Sequence, residues 1–404
     1  MDVERESAIR EITDWAVGQA LCEVDLERLF VGVCDRLCAA GIPLRRAHLA
    51  VGTLHPLVGA VSFRWWRGEA PEQMSHLRTV QPSQEWEQSP LKRLEEGDDA
   101  ELRVSLEDPA GDWRSFPLLV DLRESGITEY WCRRSMFGRE SAARRRKDGM
   151  LVSWATERPG GFSDDERAAL RRVQDRLAVG VKMAKREQTA LNVLTAYLGA
   201  NAGRRVLSGQ IHRGDGELLH AVIWYSDLRG STPLADRLPG TKFLELLNGY
   251  FECTAGAVLD HGGEVLRYIG DAVLAIFQVD GPGGDARAAR MAMAAAQDAE
   301  ARLARLNASR AALGEPTLDF GLALHVGEVL FGNVGVPERI DFTVVGPAVN
   351  EVARLESLTK DLDRRIVVSN AFSRLLPLDW EALGETVLRG VETGRRIYAP
   401  PHVE

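Results

Sequence analysis

Cysteine is scarce in this chain: five among 404 residues (Cys22, Cys34, Cys38, Cys132 and Cys253), an odd set without two paired clusters. That argues against a disulfide scaffold or a four-ligand zinc site and suits a reducing compartment. Positive charge is not in excess either, since 50 Lys+Arg against 59 Asp+Glu leave a net charge of −9. Proteins that track nucleic-acid phosphates need a positive face, and no helix-turn-helix pattern is present, so a DNA-binding regulator is disfavoured. Long apolar runs are missing. The nearest, residues 49–63, is interrupted by His55 and Pro56 and falls short of the roughly 20 residues a membrane span needs. The first ten residues, MDVERESAIR, carry both signs of charge with no apolar run behind them, unlike a secretion leader. The expectation is a soluble, cytoplasmic protein. There are no repeats and no low-complexity tract. What remains, 45% hydrophobic and 27% charged residues, is enough for two or three packed domains.

The chain divides by pattern into three parts: 1–160, 161–216 and 217–404. In the first, Ile12, Ala16, Leu26, Leu29, Val33 and Leu37 recur at helical spacing. Residues 47–53 and 58–66 then read as paired strands, as do 128–137 and 149–156. The last two flank a run of basic residues ending at Lys147, a solvated loop rather than an anion site because no Gly-rich cradle accompanies it. Single cysteines such as Cys132, and the pair Cys34 and Cys38 one helical turn apart, read as packing residues. Pro159-Gly-Gly-Phe162 is turn material, and Ser163 to Glu166 has the spacing of a helix capping box. A long helix to about Ala200 follows. Leu170, Leu177, Ala184, Leu191 and Leu198 recur every seventh residue, with Val173 and Leu194 between them and Gly180 and Glu187 weakening the seam. This predicts a coiled-coil-like linker, with parallel pairing across two chains favoured over packing on its own domain.

From 219 the order becomes α/β. A buried strand ends at Asp227, Thr232-Pro233 predicts a helix start, and 262–277 reads strand–turn–strand with the turn at Gly270-Asp271. A helix over 285–312, strands at 318–326 and 341–345, a helix over 348–358 and strands at 365–368 and 396–399 complete the pattern. Asp227 leads into Leu-Arg-Gly-Ser-Thr. An acid at a strand end, followed by a Gly-containing turn, suits a metal–triphosphate: the acid binds the cation while the N–H groups of Gly230, Ser231 and Thr232 face phosphate oxygens. Asp271 stands at the tip of the second hairpin. Two acids on neighbouring strand ends could hold two Mg²⁺ ions. Either alone would read as an ordinary cap or turn residue.

In combination with their surroundings they do not. The segments WYSDLRGST, GGEVLRYIGDAVLAIF, LALHVGEVLFGNVG, DFTVVGPAVN and NEVARLE resemble, in order and spacing, the class III nucleotide cyclase catalytic domain of adenylyl and guanylyl cyclases, over roughly residues 217–400. The resemblance implies an α+β domain with a mostly antiparallel sheet and a ferredoxin-like, palm-type core, active as a homodimer whose two sites are each built from both chains. It implies that Asp227 and Asp271, helped by the Leu228 carbonyl, hold Mg²⁺ or Mn²⁺. Asn350 and Arg354 match the transition-state pair of NxxxR, one orienting the ribose oxygen and the other meeting the charge on the α-phosphate. Arg389 matches a residue on the terminal phosphates. At the base-reading positions the chain departs from the family: Arg267 stands where adenylyl cyclases carry Lys, and Thr343 stands where many members carry Asp. Arg is a planar fork of donors rather than a point donor, and Thr both accepts and donates. ATP is favoured, with GTP or a pyrimidine triphosphate as the alternative. A further alternative is a catalytically silent nucleotide-binding module, which the intact acids and NxxxR pair disfavour. GGEVL lacks the second acid and the Phe of the diguanylate cyclase signature.

Residues 1–160 resemble, by pattern only, a GAF-type sensor domain. That implies a small ligand or partner against its sheet, dimerisation through terminal helices, and control of the cyclase domains through the 163–200 helix.

Overall fold

The computed structural model describes residues 3–22, 25–79, 81–138, 148–386 and 394–401. The chain forms two compact units, Met1–Val193 and Leu194–Glu404. Arg389 and the basic stretch 139–147 lie outside the described residues.

The first unit opens with helices α1 (Val3–Gln19) and α2 (Leu26–Ala39), so the apolar series from Ile12 to Leu37 is shared by two helices, not one. Strands β1 (Arg46–Gly52), β2 (Val58–Trp66) and β3 (Glu72–Leu77) follow, then short helices α3 (Gln84–Glu87) and α4 (Pro90–Glu96) and strand β4 (Glu101–Ser105). Helix α5 (Pro117–Glu124), strands β5 (Glu129–Met136) and β6 (Gly149–Thr156) and the long helix α6 (Asp164–Leu198) complete the series. The six strands form one sheet in the order β3-β2-β1-β6-β5-β4, every pairing antiparallel. Both hairpins expected from the sequence are present, with Leu49 opposite Phe63 and Trp131 opposite Trp154.

Alternation along these strands sorts their side chains onto two faces. Leu49, Phe63, Trp131, Val152 and Trp154 form one core with α1, α2 and α6. Tyr130, Cys132, Leu151 and Ala155 form another with α4 and α5. Burial pushes the Cys132 thiol up to about 12, in keeping with a packing role.

Helix α6 starts with the expected capping box. The Glu166 N–H donates to Ser163 Oγ at 3.3 Å and the Ser163 N–H donates to Glu166 Oε2 at 2.8 Å. The predicted pairing seam is corrected over most of its length, because Leu170, Val173, Leu177, Gly180 and Ala184 are buried inside their own unit. Gly180 explains itself: a Cβ there would come within 2.7 Å of Leu29 Cδ2, so glycine is what lets α6 lie close to α2. The heptad spacing recorded an apolar face without identifying what covers it.

The second unit begins within the last turn of α6 and continues through α7 (Ala200–Leu207), β7 (Gly216–Leu228), α8 (Ser231–Arg237), α9 (Gly240–Asp260), β8 (Glu264–Ile269), β9 (Ala272–Gln278) and α10 (Gly284–Ala312). Then come β10 (Phe320–Val336), β11 (Arg339–Val345), α11 (Pro347–Asp361), β12 (Ile366–Ser369), β13 (Glu381–Thr386) and β14 (Arg395–Ala399). The sheet order is β13-β14-β12-β10-β7-β9-β8, with β11 paired to the far half of β10. Only β10 and β12 run parallel, so the fold is α+β with a mostly antiparallel sheet. Strand β7 is covered on both faces. Val222 and Trp224 pack with α9 and α10, whereas Ala221 and Ile223 pack with α7 and α11. Its end is therefore a rigid mount. Helix α8 starts two residues earlier than a Thr232 cap with Pro233 at the first helical position suggested, after Gly230 in a left-handed conformation (φ 68°) that glycine adopts without strain.

Candidate functional site

Strand register brings the two candidate acids together. Pairing of Ser226 with Val273 carries Asp227, one residue on, beside the β8–β9 turn at Gly270 (φ 65°) and Asp271. Asp227 Oδ1 is buried and has no hydrogen-bond partner. Burial first, and then the charge of Asp271, pushes the Asp227 carboxyl up to about 6. Two acids placed to repel each other, one with an orphaned oxygen, form a set that a hard cation would relieve. Among the described residues no group of three or more His, Cys, Asp or Glu converges as a metal cage. Two carboxylates with a backbone carbonyl suit Mg²⁺, which takes much of its shell from substrate phosphates and water.

A third acid stands nearby that sequence reasoning missed. Glu356, on α11, is pushed up to about 7, by burial first and then by the charges of Asp227 and Asp271, which outweigh the opposite pull of Arg229 and a bond to Thr359. Gly321 faces Asp227 across the β10–β7 ladder, and a Cβ on it would lie 2.3 Å from Glu356 Oε1. The signal available was an acid bordering the apolar stripe Val352–Leu355–Thr359 of a helix. Arg229 ties these parts down. Its guanidinium donates to Asp319 at 2.9 Å, to the Thr359 carbonyl at 3.1 Å and to the Arg364 carbonyl at 2.9 Å, joining the end of β7 to the end of α11.

Asn350 and Arg354 sit one turn apart on α11. The residues of that helix buried in the unit's own core are Ala348, Val352, Leu355 and Thr359. Helical geometry places Asn350 and Arg354 on the opposite side, with Asn350 exposed. The pair therefore turns away from the core of its own chain.

At the sheet edge, Arg267 on β8 forms an ion pair with Asp341 on β11. Asp341 shares a strand face with Thr343, two residues on, and Thr343 is buried. The structure thus gathers Arg267 and Thr343 in one place and adds Asp341, a partner that no spacing in the sequence could reveal. Gly230 and Thr232 are exposed at the start of α8, immediately beyond Leu228.

Residues 218–399 match the family described as the adenylate and guanylate cyclase catalytic domain. The second unit is a domain of that class III cyclase family. An uncharacterised protein of Mycobacterium tuberculosis is 37% identical over 190 residues, covering 46% of this chain and 34% of its own length. An adenylate cyclase of Anabaena cylindrica is 34% identical over 159 residues, covering 38% of this chain and 30% of its own. The chain thus spans about a third of the length of these curated relatives. Among solved structures, the adenylyl cyclase CyaB from P. aeruginosa aligns at 23% identity with a TM-score of 0.43, covering 47% of this chain and 97% of that one. Among the described residues no helix is long and apolar enough to cross a membrane.

Proposed function

We propose that this protein is a homodimeric nucleoside triphosphate cyclase that converts ATP to 3′,5′-cyclic AMP and pyrophosphate. The observation that carries the reading is the split of the machinery. The orphaned acid Asp227, beside Asp271, needs a cation, while Asn350 and Arg354 face away from the core that holds those acids. A second copy of the chain would bring one set to the other.

Asp227 and Asp271, with the Leu228 carbonyl, would hold two divalent cations, Mg²⁺ or Mn²⁺. When bound, these neutralise phosphate charge and make the ribose hydroxyl easier to deprotonate. Arg354 supplies positive charge where it develops on the α-phosphate, and Asn350 fixes the ribose. The backbone of Gly230, Ser231 and Thr232, together with Arg389, takes the outer phosphates. The ribose 3′-oxygen bonds to the α-phosphorus, the bond to pyrophosphate breaks, and the hydroxyl proton leaves with solvent or product. Arg267 and Thr343 read the base. The pairing of Arg267 with Asp341 leaves donors on a planar fork, which also suits a carbonyl acceptor such as guanine O6. This supports GTP as the second substrate to test. The first unit acts as a cytoplasmic GAF-like sensor for a small ligand, and the exposed tail of α6 couples it to the cyclase.

The test is incubation of the full chain with each of the four NTPs and either metal, with cyclic products resolved by chromatography. Cyclic AMP as the main product supports the reading. Another cyclic nucleotide transfers the reading to that base, and ATP binding by calorimetry with no cyclic product from any NTP replaces it with a silent binding module.

A further inference from the structure

One face of the first unit's sheet carries a positive cluster that, among the described residues, only Glu72 offsets, from its outer side. Register lines up Arg64 on β2, His48 on β1, Ser153 on β6 and Cys132 on β5 in a row across four strands. Arg46 stands two residues before His48 on the same face, in the neighbouring row with Tyr130. Arg46 is only 5% exposed, Tyr130 0% and Ser153 1%. Arg46 Nη1, Tyr130 Oη, Ser153 Oγ and Arg64 Nε are all buried and none meets a partner in hydrogen-bonding geometry, although the Tyr130 hydroxyl lies close enough to Ser153 and Cys132 to interact with both.

Other buried arginines of the unit set the standard. Arg134, on the same face, donates to three carbonyls at the end of α4, those of Leu94, Glu95 and Gly97. Arg167 meets Glu129 and Asp164. For Arg46 Nη1 there is no hydrogen-bond acceptor; the guanidinium lies 5.6 Å from the Trp66 ring and feels the charge of Glu72 without an ion pair to it among the described contacts. Arg64 is paired on its outer side with Glu72 at 3.0 Å, which leaves its inner edge free. A buried guanidinium without an acceptor is costly to keep. Burial first, and then Arg46, Arg64 and His76, push the His48 ring down to about 3, so His48 is neutral and adds a donor without a charge. Ala50, two residues beyond His48 on the same face, is part-exposed in the middle of the central strand.

We propose that Arg46, Arg64, Ser153 and Tyr130 form a binding site for a small anion bearing a carboxylate or phosphate group, held in the fork of Arg46 with both hydroxyls donating to it. Bidentate arginine and paired hydroxyl donors are the ordinary means of holding such groups. The inference gives the sensor reading a ligand class. It is measured by binding rather than turnover, so its fate is separate from that of the cyclase assignment.

The experiment is thermal unfolding and calorimetry of the full chain with sodium phosphate and with sodium acetate, against sodium chloride at matched ionic strength. The expected result is stabilisation by one of the two oxyanions beyond chloride, which also identifies the preferred group. Arg46→Met should weaken that binding by about tenfold or more. Tyr130→Phe and Ser153→Ala should each weaken it severalfold while leaving the anion-free melting temperature unchanged or higher, because each deletes an unsatisfied buried group. A merely structural hydroxyl would lower that temperature and leave affinity alone. If Arg46→Met does not fold, the two hydroxyl variants decide. Equal effects of chloride and both oxyanions, or unchanged affinity in the hydroxyl variants, overturn the proposal.

Discussion

The two sheets bury unmatched charge of opposite sign. In the first unit it is the cation of Arg46; in the second it is the acid Asp227, next to Asp271. Buried Glu166 shows the contrast, since it receives both Arg158 nitrogens at 2.9 and 2.5 Å. Folded proteins pair or hydrogen-bond their interior charges almost without exception. The difference between the sheets is therefore chemical: on the readings proposed above, an anion completes one and a cation the other.

Removing either of the proposed metal ligands, Asp227 or Asp271, should break this contrast most severely. Asp271→Ala is expected to lower cyclase turnover by about 1,000-fold or more, read as cyclic nucleotide formed per chain. Arg354→Ala comes next, with turnover down by roughly 100- to 1,000-fold and a smaller change in KM, since it acts on charge that develops only during reaction. Arg267→Lys should alter the ranking of the four NTPs by kcat/KM, and an unchanged ranking would remove it from base reading. Smaller effects concern stability. Ser163→Ala should cost the first unit about 1 kcal/mol by removing one half of a capping box. Asp227→Asn should do the reverse in the second unit when no metal is present. Its folded carboxyl titrates near 6 against 3.8 for the free group, so the folded state holds the proton more tightly and ionisation above pH 6 destabilises it. The substitution should therefore stabilise the metal-free protein at pH 8 by about 1 kcal/mol, after discounting for a half-exposed site, and by nothing below pH 3.8. Denaturant melts at the two pH values check the sign.

Much of this site was legible from residue order, because its acids sit at punctuation points. Gly270-Asp271 interrupts an apolar hairpin, and Asp227 ends an apolar strand before a glycine turn. Glu356 and Asp341 were not legible, since their significance depends on which strand or helix lies opposite. Gly321 looks like an arbitrary glycine until β10 is paired with β7. The heptads of α6 misled for the same reason. The segment from Glu72 to Glu124 carried its signals in small features, such as the Ser83 and Ser89 caps and Pro117 at a helix start, rather than in periodicity.

The Arg229 clamp has one more consequence. By bolting the tip of β7 to the tail of α11, it makes the mount for the acids and the helix bearing Asn350 and Arg354 a single stiff body within the domain. A signal arriving at this domain would find little to bend there. In the proposed homodimer, throttling the reaction would fall instead to the hinge of association, the angle at which one such body meets another.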